Sequence, residues 1–324
     1  MKNKISNLFT KICKKYSLNP IHQMSTARHF FVWLLENKNH NQYLLKIRKQ
    51  PDPKYRAKFI IEITFNAFLS KKIKMPKKLF YSYKKSPEYL LYSFIKGAPL
   101  NHIYFFIDPK IIKKIKNSKP IINYLKLLQS QTNSFLKICK KNKIKLKSHF
   151  FKENYLFFKK YSKNLNLIFT KNQIKQIEEF IIQNKKEFNT DLVLAHGDFH
   201  PKNILITPNK KISVIDWSDL QLNNQYFDLA FLWLCSWNIP AQQKIIQKNI
   251  KNKKLFYLNI LIWLPKYCQI LEDANQAAHK EYQNKIINRQ QKEYLLKLIQ
   301  DSKKQLKNKY AKINPTRHQR KLHS

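Results

Sequence analysis

Glycine is almost absent from this chain. Only Gly97 and Gly197 stand among 324 residues, where average usage of roughly 7% would supply about 23. A chain that avoids glycine so thoroughly is expected to keep it where a Cβ cannot be accommodated, so both positions mark turns to inspect. Cysteine is scarce too. Cys13, Cys139, Cys235 and Cys268 are scattered without CxxC spacing, which argues against a disulfide scaffold and suits reduced thiols in a cytosol. Acidic residues are few, 19 against 63 Lys and Arg, for a formal charge of +44. Long apolar runs are missing as well. Leu229–Trp237 and Leu255–Leu264 are about half the roughly 20 residues that a bilayer span needs. Lysines interrupt every apolar run of the N-terminus, so no signal-peptide core is present. These absences imply a cytoplasmic, soluble protein with no membrane span.

What is there suffices for a core. Hydrophobic residues make up 43% of the chain and aromatics 14%, enough to offset the entropy of ordering and to build two packed lobes. The charge has two readings. A polyanion partner would explain a pI near 10. Compositional drift would explain it equally, because Lys, Asn and Ile are abundant everywhere and the lysines gather in no stripe. Drift is the reading adopted, with no specific nucleic-acid partner.

Along the chain, residues 1–24 read as a basic amphipathic lead-in helix. Strands are expected at Arg28–Leu35 and Tyr43–Arg48, a helix from about Lys54 to Ser70, and strands near Lys78–Tyr83 and Tyr89–Ile95. From Leu100 helical patterns dominate: Ile121–Lys141, Phe150–Tyr161, Lys171–Glu187, Gln242–Lys253, Leu255–Glu272 and Glu281–Lys309. One β-rich island, Leu192–Trp217, lies between them. The expected organisation is an α+β N-lobe over 1–97, a larger, mainly helical C-lobe over 98–311, and a basic tail over 312–324.

The island carries the chemistry. Asp198 and Asn203 are five apart, and Asp216 lies thirteen further on. A hairpin (Asn203–Thr207, turn 208–211, Ile212–Asp216) would bring its ends together, so Asn203 and Asp216 could offer oxygens to one magnesium ion. Asp198 would then be free to receive a substrate hydroxyl. Protein kinases perform phosphoryl transfer with a similar set, in H-R-D-x-x-x-x-N and a following Asp. Here His196-Gly197-Asp198 replaces H-R-D. Taken singly, each residue has a plainer reading, as a turn, a strand end or a core histidine. Together, with Asp216-Trp217 and Asp228-Leu229-Ala230, they resemble the aminoglycoside phosphotransferase and choline kinase-like family. That resemblance implies a two-lobed protein-kinase-like fold and a structural role for Asp228, buttressing the catalytic loop.

The first lobe adds support. Lys46 sits mid-strand in YLLKIRK, and Glu62 follows sixteen residues later inside the apolar FIIEITF. In kinases a Lys–Glu pair of this kind positions the nucleotide phosphates; alone, each would be an ordinary solvated charge. The resemblance further implies that the backbone of Ser93 and Ile95, in YLLYSFIKG, meets the base. It also implies that Ser25 and Thr26, in the glycine-free Met24–Arg28, serve as the phosphate-covering loop. His200, where protein kinases place a lysine, fits small-molecule kinases better.

The expected function is therefore transfer of the γ-phosphoryl of ATP (or GTP) to a hydroxyl of a small metabolite or antibiotic. Asp198 would act as base, Asn203 and Asp216 as Mg2+ ligands, and Lys46, held by Glu62, as phosphate clamp. The acceptor would lie between the catalytic loop and the C-terminal helices. Polycationic antibiotics are disfavoured there, since the last 90 residues hold few carboxylates. Trp233, Trp237, Trp263 and Tyr267 could hold a choline-like alcohol by cation–π contact or simply fill the core. The alternative is a catalytically degenerate kinase fold that binds nucleotide or RNA.

Overall fold

The computed structural model describes residues 2–25, 30–49, 53–70, 75–82, 87–100, 109–114, 118–236 and 239–283, together with 293 and 300. The chain forms two compact units. One takes residues up to 98 together with 133–146 and 205–220; the other takes 99–132, 147–204 and the chain from 221.

The first unit starts with a helix, α1 (Lys2–Tyr16), whose Ile5 and Ile12 recur at helical spacing on one face. That face packs on Leu35, Leu45, Ile47 and Leu91 of a five-stranded sheet. The strands are β1 (Leu18–Ser25), β2 (Phe30–Asn37), β3 (Gln42–Arg48), β4 (Lys78–Ser82) and β5 (Tyr89–Ser93), antiparallel in the order β1-β2-β3-β5-β4. The lead-in helix predicted over 1–24 therefore stops eight residues early. Ser17 turns the chain in the left-handed region (φ 51°), and Pro20, which would break a helix, is tolerated on an edge strand with irregular register. Between β3 and β4 runs α2 (Pro53–Leu69), with Phe59 and Ile63 packed on Phe30 and Leu90.

The same unit holds α5 (Thr132–Lys141) from Asn133 onward and the hairpin β8 (Ile204–Ile206) and β9 (Ile212–Val214) from Leu205 onward. Thr207 closes the hairpin, its N–H reaching the Lys211 carbonyl and its hydroxyl accepting the Lys211 N–H. Gly97, just before the short β6 (Ala98–Pro99), earns its place by close approach. A Cβ there would lie 3.1 Å from the Ile206 carbonyl oxygen and 3.3 Å from the Leu205 Cβ. Downstream of the hairpin, Trp217 is fully buried, donates its indole N–H to the Val214 carbonyl and stacks obliquely on Phe65 of α2.

The second unit is mainly helical: α3 (Pro109–Lys114), α4 (Lys119–Ser130), α6 (Phe151–Tyr161), α7 (Lys171–Gln183), α8 (Phe227–Cys235), α9 (Pro240–Lys248) and α10 (Lys253–Gln283). β7 (Val193–Ala195) and β10 (Gln221–Asn223) form an antiparallel pair among them. The helix predicted over 121–141 is interrupted at Gln131, because the Thr132 hydroxyl donates to the Gln129 carbonyl and accepts the Leu194 N–H. α10 runs on to Gln283 despite Pro265 within it. The helix predicted over 281–309 falls almost wholly outside the described residues, as does the basic tail over 312–324.

Trp233, Trp263 and Tyr267 are core residues, at most 3% exposed, with Trp263 stacked on Phe231 at 4.2 Å. These three rings are therefore not an exposed cation–π surface; Trp237 lies outside the described residues.

Candidate active site

Within the first unit, Lys46 of β3 and Glu62 of α2 meet as their spacing predicted. Lys46 Nζ lies 3.2 Å from Glu62 Oε2 and 3.1 Å from Asp216 Oδ1. Strand alternation turns Lys46 inward, and the helix brings Glu62 to the same side. Burial alone would lower the Lys46 pKa, but Asp216 and Glu62 more than offset it, so the ammonium is held charged. Burial pushes the Glu62 carboxyl up, opposed by that ammonium. Asp216 is different. Its side chain is 48% exposed, and its backbone sits at φ 59°, a sparsely populated conformation for a residue with a Cβ. Such conformations persist where surrounding structure enforces them.

Two neighbours of Lys46 were not singled out from the sequence. The Phe30 ring lies 4.6 Å from the ammonium, and desolvation raises the pKa of the partly buried Tyr92 against the pull of Lys46. Only the inward-facing alternation of β2 and β5 could have marked them. Ser93 donates its N–H to the Lys77 carbonyl and accepts the Lys77 N–H at its hydroxyl, and Phe94 donates to the Gln42 carbonyl. Ile95 lines a cavity of about 400 Å³ with Phe94, Lys96 and Pro208. Ser25 is the last residue of β1, paired with Val32; its side chain and Thr26 lie outside the described residues.

The second unit holds the loop 196–203. Asp228, near the start of α8, accepts the backbone N–H of His196 at 2.6 Å and of Gly197 at 3.0 Å. Burial pushes its carboxyl up, while His196 and these two N–H groups pull it down. The buttress implied by the sequence is thus built by two backbone donors. Gly197 adopts φ 82°, where any side chain would be strained. His196 is fully buried and accepts the Asp198 N–H at its Nδ1.

Asp198 leaves its carboxylate 42% exposed, with His200 Nε2 3.4 Å from Oδ2. Asn203 donates its amide to the Asp198 carbonyl at 3.0 Å, a bond that leaves the amide oxygen for another partner. The structure thus brings Lys46, Glu62 and Asp216 together in one unit, and Asp198 and Asn203 together in the other.

The comparisons bear on the family resemblance and the fold. Residues 158–250 match the phosphotransferase enzyme family, APH. Aminoglycoside 3'-phosphotransferases of Salmonella typhimurium and Escherichia coli are 31% identical over 83 residues, or 25% of this chain. The chain spans about a third (31%) of the length of these curated relatives. The GDP and kanamycin complex of an APH(2") enzyme aligns with 92% of this chain and 98% of its own at TM-score 0.61 and 12% identity. The macrolide 2'-phosphotransferase MphH of Brachybacterium faecium aligns with 89% of this chain and 95% of its own at TM-score 0.53 and 11% identity. The fold is therefore the kinase-like α+β fold of these phosphotransferases, and the resemblance carried by His196-Gly197-Asp198 and Asp216-Trp217 holds.

Proposed function

We propose that the chain is a small-molecule kinase that transfers the γ-phosphoryl group of ATP or GTP to a hydroxyl of a small metabolite or antibiotic. The observation that carries the reading is the buried Lys46 ammonium, fixed between Glu62 and the half-exposed Asp216. A charge is retained in an interior only at a cost, and a phosphate clamp is a use that repays it. On this reading Lys46 binds the nucleotide phosphates, Glu62 keeps it in place, and Ser93 and Ile95 offer backbone groups to the base.

Each unit offers an oxygen donor of the kind that a hard cation takes. Asp216 has an accessible carboxylate, and Asn203 has an amide whose nitrogen is already tied back. These two would hold magnesium, which when bound supplies positive charge to the transferring phosphoryl group. Asp198 accepts the proton of the acceptor hydroxyl and orients its oxygen for attack. Its exposed carboxylate and its loop, fixed through Asp228, suit that task.

Residues 1–97, with which 133–146 and 205–220 form one compact unit, then make the nucleotide lobe, and the remainder of 98–311 the catalytic and acceptor lobe, in a cytoplasmic protein. No helix among the described residues is long and apolar enough to cross a membrane. The +44 charge serves no specific nucleic acid. The deciding experiment supplies γ-labelled ATP or GTP, Mg2+ and a panel of aminoglycosides, macrolides, amino alcohols and sugars. Label transfer to at least one hydroxyl compound is expected. Nucleotide binding with neither transfer nor hydrolysis would point to the degenerate binder instead.

A further inference from the structure

α2 carries large apolar residues on several sides, among them Phe59, Ile60, Ile61, Ile63, Phe65 and Phe68. Phe59 and Ile63 are covered by the sheet residues Phe30 and Leu90, and Glu62 meets Lys46. One flank is nevertheless open. Ala57 and Ala67 are exposed there, and a cavity of about 820 Å³ is walled by Ile60, Ile63, Ala67, Phe68, Tyr81 and Ile138. That volume falls in the range of about 300–1,000 Å³ usual for small-molecule sites.

The charged lining is of one sign. Lys78 of β4 and Lys143 and Lys145, in the turn after α5, contribute ammonium groups, and among the described residues no Asp or Glu lines the cavity. Lys143 holds its place through a left-handed backbone (φ 54°), with the next N–H, of Ile144, bonded to the Cys139 carbonyl at 2.8 Å. The Lys78 ammonium lies 4.1 Å from the Tyr81 ring centroid, and burial holds its pKa below the ordinary lysine value. An ammonium lodged against an apolar wall is poorly solvated, so an entering anion gains more there than in water.

We propose that this cavity is a binding site for an amphiphilic anion, an unbranched medium-chain carboxylate whose tail lies along α2 and whose head meets the lysines. The tail would fill the open flank of the helix that presents Glu62 to Lys46. Occupancy would then favour the clamped arrangement and tighten nucleotide binding. This coupling rests on the kinase reading; the site itself does not.

Titration calorimetry on the full chain tests both parts, with decanoate as probe and decyltrimethylammonium as the same tail with the opposite head. Decanoate is expected to bind with Kd of about 10–100 µM and the cation at least about tenfold more weakly. Ala67→Trp fills the cavity from an exposed position and should weaken decanoate at least about tenfold without lowering Tm. Ala57→Trp serves in its place if that variant misfolds. Lys78→Met with Lys145→Met should erase the preference for the anionic head. Equal binding of both probes, or unchanged decanoate binding in both tryptophan variants, overturns the site. For the coupling, saturating decanoate should lower the Kd for ATP about threefold in the wild type and leave Ala67→Trp unmoved. An unchanged Kd for ATP overturns the coupling alone. A chain that binds decanoate and no nucleotide keeps the site and loses the kinase reading.

Discussion

The two units fix charged groups in opposite ways. Around Lys46, side chains pair with side chains: an ammonium and a carboxylate, each almost fully buried, hold one another, and a second carboxylate joins them from 170 residues further on. Around Asp228, a buried carboxylate is satisfied by backbone N–H groups of His196 and Gly197, while Asp198, the proposed base, stays half exposed. The first device presents a fixed charge. The second fixes a backbone and leaves the Asp198 carboxylate half exposed, so their failures should look different.

The largest effect is expected at Asp198. Asp198→Asn removes the proton acceptor and should lower phosphoryl transfer by about 10²–10⁴-fold, with nucleotide affinity within a few-fold and Tm unchanged. Turnover above about a tenth of wild type would rule Asp198 out as base. Lys46→Met should come next, because it strands Glu62 uncompensated in the interior, at a cost of about 3–5 kcal/mol. Adding Glu62→Leu should recover at least half of that loss in urea unfolding. A double variant no better than the single would mean that the pair is not the source.

Asp228→Ala tests the other device. It leaves two buried N–H donors without their acceptor, for a loss of about 2–4 kcal/mol, and kcat should fall as the loop loosens. Asp228→Asn, which keeps one acceptor oxygen, should lose less in both.

The smallest effect concerns His149, whose pKa is lowered by burial and by Lys147 against the pull of Glu153. The unfolded chain takes up that proton first, so stability should decline as pH falls below about 6.5, the ordinary histidine value. His149→Gln should flatten the decline by less than about 1 kcal/mol, as read from Tm across pH 5 to 7.

Much of the site was legible because its signals are local. Asp198 and Asn203 lie on one short loop, and Lys46 and Glu62 betray themselves as charges inside apolar segments of a strand and the next helix. β1 was not legible: Leu18–Ser25 contains Pro20 and lacks alternation, and only the pairing edge of β2 makes it a strand. Nor was the amide network of Asn154, Asn223, Asn224 and Asn259, which joins α6, β10 and α10 by reciprocal bonds of 2.9–3.1 Å. Asparagines are common in this chain, and nothing in their spacing separates a buried one from a solvated one.

By itself the sequence determined where glycine had to stay, which loop carries the candidate base Asp198, and the helical and strand periods that divide the chain. The tertiary structure alone decided that the Lys46 ammonium is shared between Glu62 and Asp216, that Phe30 and Tyr92 lie beside it, and that Ala57 and Ala67 of α2 stay exposed. Local propensities act over a few residues, whereas the partner of a buried charge and the cover of an apolar face depend on which distant segments the packing brings alongside.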